Sequence, residues 1–336
     1  MNQPDAAPLL SILIPTYNRA KLLELNLRQL KSQINTDIQN EIEVIVSNNA
    51  STDHTEEVLE QYKHLSYFKA ISSQTNLGFD GNFASLVDRA NGRFNWIFGD
   101  DDILLNGGLQ RTLEMLRSNT DAGLIHLALS EHRSVEAIDM DKTHPNAFIK
   151  KYVDANAFLR DVGSHISFIT SHIFNRHYLS DKFDRAPYLG SNLIQECFYL
   201  QASLKGPYNL FVHDYVFSQL VNNTGSYKLF ETFATRQHQI LRSFVPYGLE
   251  NATIRAIYKK MLRYFFPVFI VENRKFVSER RFFILIENFW TYPQFWIYCF
   301  PFFLVPSSLR LFIFRLLRHV VGSVKRKFRK HSVTNA

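Results

Sequence analysis

The 336-residue chain carries a net charge of +7 and is 46% apolar, which excludes a disordered polymer and leaves room for two domains or one large domain with an appendage. Its two cysteines, Cys197 and Cys299, lie far apart and fit neither a disulfide framework nor a zinc-ligand spacing, so a reducing, cytoplasmic setting is expected. The opening MNQPDAAPLLS lacks a positively charged start followed by an apolar run, so no secretory signal is expected; the charge is uneven, with no acidic residue after Glu287 and eight Lys and Arg from Arg310 to Lys330.

In chain order, LLSILIP (Leu9 to Pro15), IEVIVSN (Ile42 to Asn48), YFKAIS (Tyr67 to Ser72), FNWIFGD (Phe94 to Asp100) and AGLIHLAL (Ala122 to Leu129) read as strands. Several are almost continuously apolar, as strands covered on both faces tend to be. Amphipathic helices are predicted between them, near Ala20 to Gln33, Thr55 to Tyr62, Phe79 to Ala90 and Gly108 to Leu116. The alternation predicts an α/β fold, a mostly parallel sheet flanked by helices, with ligands beyond the carboxyl ends of the strands.

Those carboxyl ends carry polar loops: PTYN (Pro15, Thr16, Tyr17, Asn18), SNNASTD (Ser47 to Asp53), SQTNLGFDGN (Ser73 to Asn82) and GDDD (Gly99 to Asp102). Taken singly, each has a structural explanation: Asp53 with Glu56 as an N-cap pair, Asn76 and Gly78 as a turn, Pro15 as a strand stop. Four such loops at one edge point to a site. The string Asp100, Asp101, Asp102 sharpens this, because adjacent carboxylates repel and raise one another's pKa unless a cation or several donors offset them.

These residues, from SILIPTYNRAKLLELNLRQLKSQ through IEVIVSNNASTDHT to NLGFDGNFASLVDRANGRFNWIFGDDDIL, resemble the family 2 glycosyltransferases, nucleotide-sugar-dependent enzymes of the GT-A fold. The resemblance is strong over about residues 9–130, weaker to about 225, and closest to the branch that builds bacterial surface polysaccharides, including abequosyltransferase-like proteins. It implies a nucleotide diphosphate sugar donor, held by Pro15, Thr16, Tyr17, Asn18, Asn48, Asn49, Asn76, Gly78, Asn82 and Asp100. It also implies a divalent cation, Mg2+ or Mn2+, to offset charge on the leaving diphosphate. Asp102 is expected on that cation with Asp100, which also lies near the ribose; Asp101 is expected to order the loop or reach the sugar as a catalytic-site residue. Hard oxygen ligands suit either ion.

Four positions depart from the family's pattern. Asn48 and Asn49 stand where relatives commonly carry acids against the base; an amide pairs with a uracil or a cytosine edge, which leaves the base open. Gly81 stands where many relatives have Arg, so a cationic contact to diphosphate is missing unless Arg89 or Arg93 supplies it. The family's acceptor-activating carboxylate maps onto LIQECFYLQASLKG, where Glu196 is the sole carboxylate and Cys197 replaces a frequent Asp. General base, helix-surface residue and donor-sugar contact stay open for Glu196, with Asp161, Asp181 and Asp184 as the other candidates. His126, His165, His172 and His213 read as core or edge histidines, with His213 as a third metal ligand the alternative. No Ser-His-Asp order, P-loop or zinc spacing occurs.

The predicted organisation is a catalytic domain over 1–225, with a nucleotide-sugar half (about 1–110) and an acceptor half (about 111–225), then a helical membrane-associating region over 226–336. NFWTYPQFWIYCFPFFLV, Asn288 to Val305, is uncharged for eighteen residues but holds Pro293 and Pro301. A membrane span, burial and an interfacial position all stay open; the prolines oppose the first, and Trp, Tyr and Phe followed by cations favour the last. As a helix, Ser308 to Lys330 gathers Arg315, Arg318, His319, Lys325, Arg326 and Arg329 on one arc, and Phe312, Ile313, Leu316, Leu317, Val320, Val321, Val324 and Phe328 over most of the rest, with Arg310 and Lys327 as misfits. Such a helix lies on an anionic membrane surface, and its apolar face has no use on nucleic acid.

The expectation is therefore a metal-dependent, inverting hexosyl- or deoxyhexosyltransferase, peripheral on the inner face of the cytoplasmic membrane. It would act on a polyprenyl-linked or growing glycan in O-antigen or capsule synthesis. A nucleotidyltransferase on a related sheet and a non-catalytic saccharide-binding or assembly protein are the alternatives.

Overall fold

The computed structural model describes residues 7–221, 228–272, 279–306, 309, 310, 312 and 314. Strands are β1 (Leu10–Thr16), β2 (Ile42–Asn48), β3 (Phe68–Ser72), β4 (Phe94–Ile97), β5 (Ile103–Leu104), β6 (Ala122–Leu127), β7 (Ser130–His132), β8 (Phe148–Tyr152), β9 (His172–Asn175), β10 (Tyr208–His213) and β11 (Phe217–Leu220). Helices are α1 (Ala20–Gln33), α2 (Thr55–Glu60), α3 (Gly78–Arg89), α4 (Gly108–Ser118), α5 (Ala155–Val162), α6 (Ile194–Lys205), α7 (Gln237–Ser243), α8 (Asn251–Lys260), α9 (Phe266–Glu272), α10 (Glu279–Phe289) and α11 (Pro301–Leu304). The five predicted strands and four predicted helices of the first 130 residues are all present, displaced by at most a few residues at their ends.

An eight-stranded sheet runs in the order β3-β2-β1-β4-β9-β6-β10-β8, and β5-β11-β7 form a small second sheet. β3, β2, β1 and β4 are mutually parallel, the run the apolar strands predicted. Beyond β4 the sheet is mixed: β9 lies antiparallel between β4 and β6, β10 is parallel to β6, and β8 closes the edge antiparallel to β10.

Side chains alternate across β1, so Ile12 and Ile14 enter one apolar layer and Leu13 the other. The first layer holds Leu23, Leu27 and Leu30 of α1, spaced at 3–4 residues, with Leu109 and Leu113 of α4. Gly108 lets α4 start against the chain before β11, because a Cβ there would lie 2.3 Å from the Val216 carbonyl oxygen. The second layer packs α3, α5 and α6 on the opposite sheet face and continues without a break into Phe230, Ile254, Phe266, Phe289, Phe295 and Phe302. Described residues between 228 and 302 thus share the core of the α/β part.

The aromatic stretch from Asn288 is broken where its prolines stand. α10 ends at Phe289, a π-helical turn covers Phe295–Cys299, and α11 begins at Pro301. Phe289, Phe295, Cys299 and Phe302 are buried, while Trp290, Trp296, Ile297 and Leu304 face outward, so the stretch is core on one side and surface on the other. Among the described residues no helix is long and apolar enough to cross a membrane. The predicted basic helix from Ser308 to Lys330 lies outside the described residues, apart from 309, 310, 312 and 314.

Candidate active site

The aspartate string is delivered by β4, which is buried throughout and is followed by Phe98 and Gly99. Three elements fix the loop. Asn26 of α1 donates from Nδ2 to the carbonyls of Gly99 (2.9 Å) and Asp102 (2.7 Å). Thr170, just before β9, accepts from the Gly99 N–H at 2.9 Å and donates its hydroxyl to Asp102 Oδ2. The Trp96 indole holds the Thr170 carbonyl at 2.8 Å. Gly99 is required by this folding-back, since a Cβ would meet Asp102 Oδ2 at 2.9 Å and Asp101 Oδ1 at 3.0 Å.

Asp100 and Asp102 are buried in this loop. Thr16 donates to Asp100 Oδ2 at 2.8 Å, and Arg19 Nη1 lies 3.0 Å from both Asp100 Oδ1 and Asp101 Oδ2. Burial outweighs this support. It pushes Asp100 up to about 6, with the Asp101 charge adding to the shift and Arg19 opposing it. Asp102 is likewise driven well above the ordinary carboxylate range by burial and by the Asp101 charge, against the Thr170 hydrogen bond. A cation would relieve that strain on charge, and the donor set of hard carboxylate oxygens suits Mg2+ or Mn2+ completed by phosphate oxygens and water. Among the described residues, no three or more His, Cys, Asp or Glu side chains converge as a ready-made metal cage.

The loops enclose a cleft of about 490 Å3. Pro15, Thr16, Tyr17, Asn49, Asn76, Gly78, Asn82 and all three aspartates line it, as does Arg19. Asn18 and Asn48 are not among its lining residues. Asn18, at φ 54°, accepts the Thr52 N–H at 2.7 Å, and Asn48 bonds Glu56 and the Ser51 N–H, so both stitch neighbouring loops together. Asn49 is similarly occupied: it donates to Asn76 Oδ1 and the Gly78 carbonyl and accepts from the Leu77 N–H. The exposed ring of Tyr17 stands at the rim.

The expectation for Glu196 is corrected by its environment. Its carboxyl is fully buried away from the cleft, accepts from Gln237 Nε2 at 2.6 Å, and is pushed up to about 8 by burial. In this structure the acid therefore does not face the cleft. Its neighbour Gln195 lines the cleft instead, with Nε2 donating to the Ser167 carbonyl at 2.9 Å and Oε1 without a hydrogen-bond partner. Asp161, Asp181 and Asp184 also lie off the cleft. Asp161 is bonded to Tyr152 and Lys150, and Asp184 caps the Ala186 N–H.

His213 is not among the residues that line the cleft: it stacks on Phe148 and Phe211. His172 donates from Nδ1 to the Phe168 carbonyl in a buried pair with His126. Arg89 folds onto Ser85, and Arg93 pairs with Asp121, so neither supplies the cationic contact missing at Gly81. The side chains that sequence reasoning passed over are Arg19, Asn26, Thr170, Gln195 and Phe233; only Arg19, inside the PTYN loop's continuation, carried a local signal.

This geometry, a sheet edge of polar loops around an aspartate string, is that of a GT-A sugar transferase. The Glycosyl transferase family 2 profile matches residues 11–179, half of the chain, and the chain belongs to that family. It is 36% identical over 138 residues to the abequosyltransferase RfbV of Salmonella typhimurium, a stretch covering 40% of this chain and 40% of that protein. It is 34% identical over 111 residues to the Campylobacter jejuni GalNAc(5)-diNAcBac-PP-undecaprenol beta-1,3-glucosyltransferase, covering 32% of this chain and 34% of that one. The matches thus span well under half the length of these curated relatives. Among solved structures, S. aureus TarS 1-349 in complex with UDP-GlcNAc superposes with a TM-score of 0.59 at 18% identity, covering 83% of this chain and 79% of that one. At that identity the likeness shows the fold.

Proposed function

We propose that the protein transfers a sugar from a nucleoside diphosphate sugar to a polyprenyl-linked or growing glycan in bacterial surface-polysaccharide synthesis. The observation that carries this reading is the aspartate string at the carboxyl edge of the sheet, with Asp100 and Asp102 buried and raised in pKa by that burial, lining a cleft of about 490 Å3. The relatives support the substrate classes: one is named for abequosyl transfer, and another for an acceptor joined to undecaprenol through a diphosphate.

In this reading Asp100 and Asp102 hold a divalent cation, which when bound offsets negative charge on the departing diphosphate. The chain's own groups do the rest. Asn26 and Thr170 keep the loop folded over Gly99 so that the carboxylates are aimed before the donor arrives. Asp101, tied to Arg19, orders the string, and Tyr17 offers a ring face to the nucleobase. Phe168, Leu193, Phe217 and Phe233 give the cleft an apolar lining that excludes water.

We assign an inverting outcome, the one that the resemblance to the family implies. Membrane association through the C-terminal region belongs to the same reading, because a polyprenyl-linked acceptor is presented at a membrane surface.

The experiment is calorimetric titration of UDP, CDP, GDP and TDP with Mn2+, followed by hydrolysis of the corresponding sugar nucleotide. Asp102→Asn should abolish metal-dependent nucleotide binding and lower hydrolysis by about a hundredfold or more while the far-ultraviolet circular dichroism stays unchanged. Near-normal turnover in that variant would remove Asp102 from the site.

A further inference from the structure

Among the described residues, one cation, Arg19, pairs with two of the three aspartates. Arg19 precedes α1, and its single Nη1 is shared at 3.0 Å between Asp100 and Asp101. A third of its side chain is exposed (33%), and it lines the cleft. Among the described residues of the cleft lining there is no other Lys or Arg. The guanidinium therefore bridges Asp100 and Asp101, and Asp100 is also one of the residues that would hold a divalent ion.

We propose that Arg19 is a moving counterion: it holds Asp100 and Asp101 together in the donor-free protein, gives up Asp100 to the divalent cation, and then turns onto the diphosphate. The inference rests on the donor reading above. Electrostatics favours the exchange in both directions. A divalent ion brings more charge to buried carboxylates than a guanidinium does, and the released fork of N–H donors matches diphosphate oxygens, which arrive with the same donor. The exchange also supplies the cationic contact that Gly81 leaves missing. Arg19 acts here on binding and positioning.

The two halves of the proposal have opposite signs, which makes them separable. Mn2+ alone, then UDP, CDP, GDP and TDP with Mn2+, are titrated into the full chain as wild type, Arg19→Met and Arg19→Lys. Removing the competitor should let Arg19→Met bind Mn2+ alone at least about threefold more tightly, with a larger Mn2+-induced rise in melting temperature. The same variant should bind its nucleotide diphosphate roughly ten- to a hundredfold more weakly, the scale of a lost charge-assisted contact. Arg19→Lys keeps the charge without the fork and should fall between on both measures; it carries the test should Arg19→Met not fold. Unchanged or weaker Mn2+ binding in Arg19→Met overturns the yielding counterion, and unchanged nucleotide affinity overturns the diphosphate contact. A wild type that binds none of the four nucleotides removes the donor reading itself, and this inference with it.

Discussion

Gln195 and Glu196 are sequence neighbours on α6, and a helix turns about 100° per residue, so only one of them can face the cleft. The structure gives that place to the amide. Glu196 then becomes a buried acid whose charge is penalised, and this has a measurable consequence for stability. Its carboxyl is pushed from the ordinary 4.5 up to about 8 in the folded chain. Between those values the unfolded chain has lost the proton that the folded chain keeps, so this group's contribution to stability falls as pH rises through the window, by up to about 1.4 kcal/mol per pH unit. Glu196→Gln should flatten that decline: urea unfolding at pH 5.5 and 8.5 should show the variant gaining on wild type at the higher pH. Hydrolysis of the sugar nucleotide should stay within about tenfold of wild type, well short of the loss a positioned base gives. An equal pH slope in both proteins, or a hundredfold fall in turnover, would restore Glu196 to the cleft.

At the scale of elements, α1 does more than cover the sheet. Its apolar stripe of Leu23, Leu27 and Leu30 fills one layer, while Asn26, buried on the same helix, reaches across to two carbonyls of the aspartate loop. Asn26→Leu keeps the volume but takes a donor from both carbonyls, leaving that of Gly99 with only the Asp102 N–H at 3.2 Å. The expected cost is about 1–3 kcal/mol in urea unfolding, together with weaker nucleotide binding as the loop loosens. A variant that loses stability yet binds donor as wild type does would show that the loop holds its shape without α1.

Elements also explain what was legible beforehand. β1 to β4 and α1 to α4 could be read because parallel strands covered on both faces are unbroken apolar runs and their helices show a clear periodic stripe. α6 could not be phased, because Ile194 through Ser203 are all buried and no polar face marks its orientation. Thr170 and Asn26 reach the site by long-range packing, and nothing in their immediate neighbours announces it. Arg19 sat in plain view beside PTYN, but its partners lie far along the chain, at Asp100 and Asp101.

For the whole molecule, the α/β part and the C-terminal helices share one apolar layer, and Phe233 from the C-terminal helices lines the cleft. Cutting the chain near Arg280 would strip Phe289, Phe295 and Phe302 from that layer, each worth roughly 1.5–3 kcal/mol of burial, a large part of an ordinary domain's stability. Membrane association is therefore better tested by surface substitution than by truncation. Trp290, Trp296, Ile297 and Leu304 lie exposed on the outer side of the aromatic stretch, and the basic residues from Arg310 onward follow it in sequence. Trp290→Ser with Trp296→Ser should weaken sedimentation with anionic phosphatidylglycerol vesicles by about tenfold. Replacing Arg315, Arg318, Lys325, Arg326 and Arg329 by Glu should abolish the preference for anionic over neutral vesicles, at about 1 kcal/mol per cation. Wild-type protein that ignores vesicle charge would end the interfacial reading.

The position of β9 between β4 and β6 also governs how this protein can be made. His172–Asn175 is hydrogen-bonded on both sides, to the strand that delivers the aspartates and to the strand beyond it. A nascent chain emerging from its amino end can form β1 to β4 early, but the open flank of β4 stays an unpaired edge until His172–Asn175 has been synthesised and inserted. Expression fragments that stop between β6 and β9 would keep that edge permanently, and their fate is strand-to-strand association in place of a half-enzyme. Split-protein and domain-swap designs on this scaffold should therefore place their junctions after Asn175.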